Sequence, residues 1–344
     1  MSNHKKARDE TLKIAGFEFG TFRPEISFDI QVGNIIYLIG KKGTGKTTAL
    51  LNILYHIRHL FWGGYAFVGT TTTAEQLSAH LPTKVIVEGF SKMKLDEIYA
   101  KISKLVKEYT KEGYDLRKHH FVVILDDVCW DKKIMNLPVM RKFHMNCRHI
   151  GVTLIVCAQY MMDLGPSLRN QIDYCIFGKN VVDKEIEKIR ENYVPLFDKS
   201  RKNEFLKIFK ALNVTGRMMV VDTATGNRST DIQEVIKYFK TTKEVPSFTF
   251  GAHEFWAQAM RIPRSWLLKR HPELEKMSHR PPSSSRMVKE SRDRRGGERD
   301  TKNENAEKGF MKPNSSLSNV KINNFDKFNL MSMTFGPMGL QPLT

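Results

Sequence analysis

Residues 40–47 of this chain read GKKGTGKT, and this run limits the possible folds more than any other stretch. It follows the apolar run Ile35–Ile39, which predicts a buried strand, and it precedes a helical pattern that begins near Thr48. Strand, glycine-rich loop and helix are the context in which the pattern G-x-x-x-x-G-K-[ST] cradles phosphate. The glycines let successive backbone N–H groups point at an anion, and the helix start adds the positive end of its dipole.

Two side chains of this loop have the chemistry that a nucleotide with a bound metal requires. Lys46 can reach the β- and γ-phosphates, and the Thr47 hydroxyl can ligate Mg²⁺. The alternative is a glycine turn that matches the pattern by chance, which the fixed residue types and their context argue against. The predicted ATP-binding residues are Gly40, Gly43, Thr44, Gly45, Lys46, Thr47 and Thr48.

A second apolar run, Phe121–Leu125, ends in the carboxylates of Asp126 and Asp127. A carboxylate at the carboxyl end of a buried strand would lie beside the nucleotide, so we predict that Asp126 holds Mg²⁺ together with Thr47. Asp127 can orient or deprotonate an attacking water, although its side chain is one methylene shorter than the Glu of many ATPases. The alternative is an acidic pair that only opens a turn.

A third group of polar residues surrounds the predicted strand Thr153–Cys157. Gln159 follows this strand, and its amide can donate to a γ-phosphate and accept from the attacking water. Arg148 precedes the strand and therefore lies far from its own nucleotide, so we predict that it reaches the neighbouring subunit's γ-phosphate as an arginine finger. Arg169 is a second candidate for this finger. The alternatives are an Arg148 that faces DNA or solvent and a Gln159 that only caps a strand.

The order of apolar runs predicts an α/β fold with a mainly parallel sheet. Apolar runs alternate with helical patterns up to about Lys243, and several runs are continuous, as in strands buried on both faces. The predicted strands are Ile35–Ile39, Tyr65–Val68, Val85–Val87, Phe121–Leu125, Thr153–Cys157, Tyr174–Phe177 and Met218–Val221; the predicted helices are Lys94–Tyr109, Asp183–Tyr193 and Asp231–Tyr238.

Two features favour an ATPase over other phosphate-loop proteins. The strand Tyr65–Val68 lies between the loop strand and the acidic strand along the chain, and an intervening strand is typical of one ATPase branch. A GTPase would need an Asn-Lys-x-Asp run to recognise guanine, and the sequence has none.

The formal net charge of +18 favours a polyanionic partner, most commonly nucleic acid. Contacts to phosphates carry no sequence information, so we expect binding to nucleic acid without sequence preference. The candidate DNA contacts are Lys132, Lys133 and Arg141. The chain has no run of 18 apolar residues, and therefore we expect no transmembrane segment.

Cysteine usage points to a reducing, intracellular setting, because the four cysteines are spaced singly and form no C-x-x-C pair. The local group of His144, Cys147 and His149 offers an alternative interpretation as metal ligands. A structural metal site would need a further ligand, and no matching pair lies elsewhere in the sequence.

Composition divides the chain into three predicted regions. Residues 1–250 form the ATPase domain, and residues 251–277 form a short helical extension. Residues 278–344 form a disordered basic tail, because this stretch has too few apolar residues to offset the entropy of ordering. Its end, Asn323–Thr344, is richer in Phe, Met and Leu and is either a docking peptide or a weakly packed tail.

Together these motifs resemble a known family. Four motifs are similar to those of poxvirus-type genome-packaging ATPases: the phosphate loop, the ILDD run at 124–127, the CRH-x₃-TLI-x₃-Q pattern at 147–159 and the LRN-x-IDY pattern at 168–174. This family of nucleocytoplasmic large DNA viruses is related to the FtsK/HerA translocases. The resemblance covers about Ile26 to Lys243, where the strand Met218–Asp222 and a helix over Asp231–Lys240 also fit.

The resemblance implies a RecA-like core, ATP, Mg²⁺ and a homo-oligomeric ring that pumps double-stranded DNA into a preformed capsid. It also implies the virion and the host cytoplasm as the location, with a capsid or portal component as a further partner. The chain departs from bacterial translocases at Asp127, where they have Glu, and its basic tail has no counterpart in the family core. Two alternatives remain: another nucleic-acid-dependent ATPase, such as a conjugation or partition translocase, and a nucleotide switch that recruits partners.

Overall fold

The computed structural model describes residues 11–30, 33–111, 121–129, 131–160, 164–223 and 229–260 of the 344-residue chain. Its strands are β1 (Thr11–Ile14), β2 (Phe17–Gly20), β3 (Ile35–Ile39), β4 (Gly63–Val68), β5 (Ile86–Glu88), β6 (Phe121–Asp126), β7 (Val152–Ala158), β8 (Tyr174–Phe177), β9 (Arg217–Asp222) and β10 (Ile236–Lys240).

The helices alternate with these strands along most of the chain. They are α1 (Pro24–Ile30), α2 (Lys46–Ile57), α3 (Thr71–Ser78), α4 (Lys92–Lys111), α5 (Lys132–Met135), α6 (Pro138–Asn146), α7 (Pro166–Arg169), α8 (Asp183–Tyr193), α9 (Lys202–Leu212), α10 (Ile232–Val235) and α11 (His253–Met260), with a 3₁₀ turn at Thr83–Val85. Within the described residues, no helix combines the length and the apolar character that crossing a bilayer would require.

The central sheet has the strand order β10-β9-β8-β3-β7-β6-β4-β5. The strands from β8 to β5 are mutually parallel, whereas β9 is antiparallel to both of its neighbours. Every residue of β3, β6 and β7 is buried, which explains why these runs are continuously apolar. The predicted α/β class with a mainly parallel sheet is confirmed. Parallel pairing also brings the carboxyl ends of β3, β6, β7 and β8 to one edge.

The strand that separates β3 from β6 is β7. Ile35 of β3 pairs with Leu154 of β7, and Phe121 of β6 pairs with Val152 on the other side of the same strand. The predicted strand Tyr65–Val68 belongs to β4, which pairs with the far side of β6. An intervening strand is therefore present, but it is the one that follows the acidic strand along the chain.

The predicted helix at Asp231–Tyr238 is wrong beyond Val235, and so is its extension to Lys240. Only the short helix α10 forms, capped by the Asp231 carboxylate, which accepts from the backbone N–H of Gln233 at 2.9 Å. The chain then continues as β10 in antiparallel pairing with β9, where Ile236 lies opposite Val221. Burial of the apolar side chains of β10 against the core outweighed a spacing that also suits a helix.

The hairpin of β1 and β2 and the helix α9 were not among the predicted elements. Ala15 (φ 51°) and Gly16 (φ 86°) form the two-residue turn of the hairpin. Both residues have positive φ, which matches the right-handed twist of the strands. An alanine rarely adopts this conformation, and therefore the local residues are a weak signal for a turn.

The helix α11 packs directly on β4. Its Phe255 ring lies 5.5 Å from the Trp62 ring and 6.4 Å from the Tyr65 ring, and the indole N–H of Trp256 donates to the carbonyl of Phe250 at 2.9 Å. The boundaries at residues 250 and 277 stay predictions. The predicted tail, 278–344, lies outside the described residues.

Packing of α11 on β4 depends on the absence of a side chain at Gly63. A Cβ atom there would lie 2.4–2.6 Å from the ring of Phe255, which is buried and cannot move into solvent. We expect Gly63→Ala to destabilise the protein by about 1–3 kcal/mol through overpacking. Thermal denaturation should show a lower Tm, while Gly20→Ala, with no atom within 4 Å of its new methyl group, should leave it nearly unchanged. Equal Tm values for both variants would contradict this packing.

Candidate nucleotide site

The loop after β3 has the backbone conformation of a phosphate cradle. Gly43 and Gly45 have φ values of 79° and 88°, in the left-handed region that favours glycine. Gly40 is required for another reason, because a Cβ atom there would lie 2.5 Å from the Thr44 hydroxyl oxygen. That hydroxyl donates to the carbonyl of Lys41 at 2.7 Å and closes the loop on itself. The loop is followed directly by α2, which begins at Lys46.

Lys46 begins α2, and its side chain is buried, with 7% of its surface exposed. Its Nζ donates to the carbonyl of Gly40 at 2.8 Å and lies 3.8 Å from Oδ2 of Asp127. A buried ammonium needs such partners to offset the loss of hydration. Thr47 and Thr48 follow in the first turn of the helix and are partly exposed.

Asp126 is the last residue of β6, and its side chain is buried. Burial raises the pKa of its carboxyl group, and the negative charge of Asp127 raises it further. Hydrogen bonds with Cys157 and Thr73 and the charge of Lys46 act in the opposite direction. The sequence did not indicate Thr73, since a threonine in α3 carries no signal that α3 lies beside the acidic strand.

Asp127 lies between Lys46 and Gln159. Its Oδ2 accepts a hydrogen bond from Nε2 of Gln159 at 3.1 Å, in addition to its proximity to Lys46. Its φ of 52° is in the left-handed region, and its backbone N–H donates to the carbonyl of Cys157 at 3.0 Å. This turn directs the carboxylate toward the loop. The structure thus brings together three predicted site residues: Asp127 directly after β6, Gln159 directly after β7, and Lys46 at the start of α2.

The acidic residues fit a divalent cation. Oδ1 of Asp126 and Oδ1 of Asp127 are buried and have no hydrogen-bond partner within the described residues. A buried carboxylate oxygen without a partner is costly, and a hard cation such as Mg²⁺ prefers such oxygen ligands. The carboxylate of Asp126 therefore suits the metal-binding role that the sequence predicted for it, and the role of the Thr47 hydroxyl stays a prediction.

The connection from β8 to α8 packs against the loop from the other side. A Cβ atom at Gly178 would lie 2.9 Å from the Thr44 hydroxyl oxygen, and Lys41 forms an ion pair with Glu185 at 3.2 Å. A hydrogen bond from Asn180 and then the contact with Lys41 lower the pKa of Glu185. The sequence does not predict these contacts, because no local pattern indicates that β8 lies next to β3.

The two candidate arginine fingers lie apart from this cluster. Arg148 precedes β7, at the amino ends of the parallel strands, and its Nη2 pairs with Oδ1 of Asp173 at 2.6 Å. The Nη1 atom of Arg169 donates to the side chain of Asn192 in α8. Neither arginine has a contact with Lys46 or Asp127 within the described part of one chain.

The other predicted surface residues lie on the helices after β6. Lys132 begins α5, and Lys133 and Arg141 are exposed. The alternative metal site is contradicted at His144, whose Nε2 lies 2.9 Å from the Tyr37 hydroxyl and whose Nδ1 lies 2.7 Å from the Met140 carbonyl oxygen. Both ring nitrogens are occupied, and burial lowers the pKa of this histidine. In the described ranges, no group of three or more His, Cys, Asp or Glu residues could hold a metal ion.

Comparisons with known proteins place this chain in a family. Protein 075L of Invertebrate iridescent virus 6 is 26% identical over 249 residues, which cover 70% of this chain and 91% of that protein. Protein L437 of Acanthamoeba polyphaga mimivirus is 24% identical over 223 residues, covering 64% of this chain and 76% of that protein. Both relatives are uncharacterized proteins.

Among solved structures, the genome packaging NTPase B204 of Sulfolobus turreted icosahedral virus 2, in complex with AMPPCP, has a TM-score of 0.42 at 16% identity. The alignment covers 61% of this chain and 98% of B204. The sequence profile that matches residues 32–234 describes the Poxvirus A32 protein. This match spans more than half of the chain and confirms the resemblance to the poxvirus-type packaging ATPases, so the chain belongs to the Poxvirus A32 protein family.

Proposed function

We propose that this chain is a viral genome-packaging ATPase that moves double-stranded DNA into a preformed capsid. The observation that carries the proposal is the convergence of Lys46, Asp127 and Gln159 beside the phosphate loop, at the edge where β3, β6 and β7 end. Membership in the Poxvirus A32 protein family supports the packaging role.

The positions of the side chains suggest how they divide the work of ATP hydrolysis. Lys46 exchanges its contact with the Gly40 carbonyl for the phosphates of ATP, and the loop backbone donates to the same oxygens. Asp127 orients the attacking water and accepts its proton, while Gln159 holds both the water and the Asp127 carboxylate. When bound, Mg²⁺ supplies positive charge beside the phosphates, and Thr47 and Asp126 would hold it.

A complete site requires a second subunit in this proposal. Arg148 lies at the amino edge of the sheet, opposite the phosphate loop, and 58% of its side chain is exposed. In a homo-oligomeric ring this edge faces the nucleotide of the neighbouring subunit, where an arginine finger stabilises the charge that develops on the transferred phosphoryl group. Arg169 remains the second candidate.

Excess positive charge supports a polyanionic partner. With a net charge of +18, the protein attracts the DNA backbone, and contacts from residues such as Lys133 and Arg141 hold phosphates without reading bases. Changes in phosphate contacts at the nucleotide shift the helices that follow β6 and thereby move the DNA. The proposed location is the virion and the host cytoplasm, with a capsid or portal component as the docking partner.

Replacement of Lys46 tests this proposal directly. We expect Lys46→Ala to lower DNA-stimulated ATP hydrolysis by at least about 100-fold, because a buried cation that contacts the phosphates is lost. The measurement is the steady-state ATPase rate of the full chain with and without long duplex DNA. Lys184→Ala removes the same charge from an exposed position in α8 and should retain the wild-type rate.

Infection with a virus that carries Lys46→Ala separates packaging from the alternatives. Empty capsids should accumulate if the protein is the packaging motor. Normal genome content in these particles would overturn the packaging role and leave another DNA-dependent ATPase. A wild-type protein whose hydrolysis does not respond to duplex DNA would instead favour a nucleotide switch.

The residues assigned to the attacking water should affect catalysis rather than ATP binding. We expect Asp127→Asn to lower kcat by about 10²-fold or more, since the variant cannot accept a proton, and Gln159→Ala to lower it less. The affinity for a non-hydrolysable ATP analogue should stay within a few-fold of the wild type. Gln171→Ala changes an exposed glutamine outside the site and serves as the control. A fully active Asp127→Asn protein would refute the assigned roles.

A further inference from the structure

We propose that Asp173 is a positioning residue that holds Arg148 in the orientation needed at the neighbouring subunit's nucleotide. This inference rests on the proposed function and extends it, because it assigns a role to a carboxylate that lies outside the nucleotide site. Asp173 belongs to the LRN-x-IDY pattern at 168–174, but neither the phosphate-loop mechanism nor the DNA contacts use it.

Both oxygens of the Asp173 carboxylate are engaged. Oδ1 accepts from Nη2 of Arg148 at 2.6 Å, and Oδ2 accepts from the backbone N–H of Ile35 at 2.8 Å. The exposed fraction of the Asp173 side chain is 4%, compared with 58% for Arg148. The carboxylate is therefore fixed inside the protein, while the guanidinium that it holds extends into solvent.

The backbone around Asp173 is fixed as well. Its N–H donates to the carbonyl of Ile35 at 2.9 Å, and its own carbonyl accepts from the N–H of Thr223 at 3.0 Å. On the other side of Ile35, Gly33 has a φ of 72°, and a Cβ atom there would lie 2.7 Å from Cα of Arg148. These contacts tie the arginine to the beginning of β3 through both its side chain and its backbone.

The geometry of the ion pair between Asp173 and Arg148 favours a role beyond the stability of the fold. Arginine has five N–H donors in a planar group, so one bond to Asp173 leaves donors that can contact an oxyanion from another subunit. An ion pair with a largely exposed cation contributes little to folding. Holding Arg148 in one orientation matters more than this contribution to folding. An unrestrained arginine side chain would lose considerable rotamer entropy whenever it docked on a phosphate.

The same interaction connects two nucleotide sites. Ile35, which donates to Asp173, is the first residue of β3, and β3 ends at the phosphate loop of its own subunit. A short and fully buried strand thus joins the arginine that serves one nucleotide to the loop that binds the next. Asp173 contacts both of them, through its bonds to Arg148 and to Ile35 of β3.

Asp173→Asn is the direct test. It keeps the size of the side chain and an acceptor for Ile35, but it removes the charge that orients Arg148. We expect kcat to fall about 10- to 100-fold, as for a displaced catalytic group, with KM for ATP nearly unchanged because the subunit's own phosphate loop is intact. Arg148→Lys should retain the Tm of the wild type but lose a similar share of kcat, since lysine lacks the planar fork.

Asp222→Asn is the matched control. Asp222 is a second buried acid at this edge, lies opposite Tyr174 in the sheet register, and pairs with Lys237 at 3.0 Å. Its replacement removes a comparable ion pair without touching Arg148, so kcat should stay close to the wild-type value even if Tm falls. An equal loss of kcat in both variants would mean that Asp173 acts only through the stability of the sheet, which would overturn the proposal.

Mixed assemblies provide a readout that a structural role would not change. Lys46→Ala subunits lack a working nucleotide site but retain Arg148 and Asp173, whereas Asp173→Asn subunits retain the site. When both variants assemble together on duplex DNA, hydrolysis should rise several-fold above the sum of their separate activities. A tag on one variant verifies co-assembly, and Asp127→Asn replaces Lys46→Ala if that variant does not assemble.

These experiments distinguish a failure of the proposed function from a failure of the positioning role of Asp173. A wild-type protein without ATPase activity would refute the proposed function itself. With an active wild type, a normal kcat for Asp173→Asn would refute the positioning role. Rescue of Arg148→Ala but not of Asp173→Asn in mixed assemblies would leave Arg148 as the finger and would exclude Asp173 from its orientation. If neither variant is rescued, the arginine does not act across subunits.

Discussion

Parallel pairing of β3, β7 and β6 is the constraint on which the site depends. The register of these strands places the end of β3, with the phosphate loop, beside the ends of the strands that precede Gln159 and Asp127. Each of the three side chains comes from a different segment of the chain, and none could reach the others in another strand order. The hydrogen bonds of the sheet thus fix the distances among a lysine, a carboxylate and an amide that lie beside the phosphate loop.

Local sequence patterns were sufficient to predict strands that are buried on both faces. The bounds predicted for β3 and β8 agree with the structure, because continuous apolar runs between turn residues have few other solutions. The same reasoning failed at β10, where the spacing of apolar residues suits both a helix and a strand and only pairing with β9 decides. It also gave no warning of the contacts of Thr73 and Glu185, since these follow from strand order rather than from any local pattern.

The two edges of the sheet carry different chemistry. The carboxyl edge contains a lysine beside Asp127, with buried carboxylate oxygens that suit a cation. The amino edge contains buried acids that hold exposed or half-exposed cations, as Asp173 holds Arg148 and Asp222 holds Lys237. One edge therefore presents buried carboxylate oxygens, and the other presents positive charge. In the proposed ring, copies arranged carboxyl edge to amino edge would bring these opposite charges together.

The positive φ of Asp127 suits an aspartate better than the glutamate that we associate with bacterial translocases at this position. Aspartate tolerates the left-handed conformation better than most residues, because its short side chain can interact locally. A glutamate would have a longer reach but would have to adopt a backbone geometry that it rarely occupies. Here the turn itself, through the bond from the Asp127 amide to the Cys157 carbonyl, carries the acid toward the loop. The backbone turn thus helps to place a short acidic side chain 3.8 Å from Lys46, and a glutamate in the same turn would be strained.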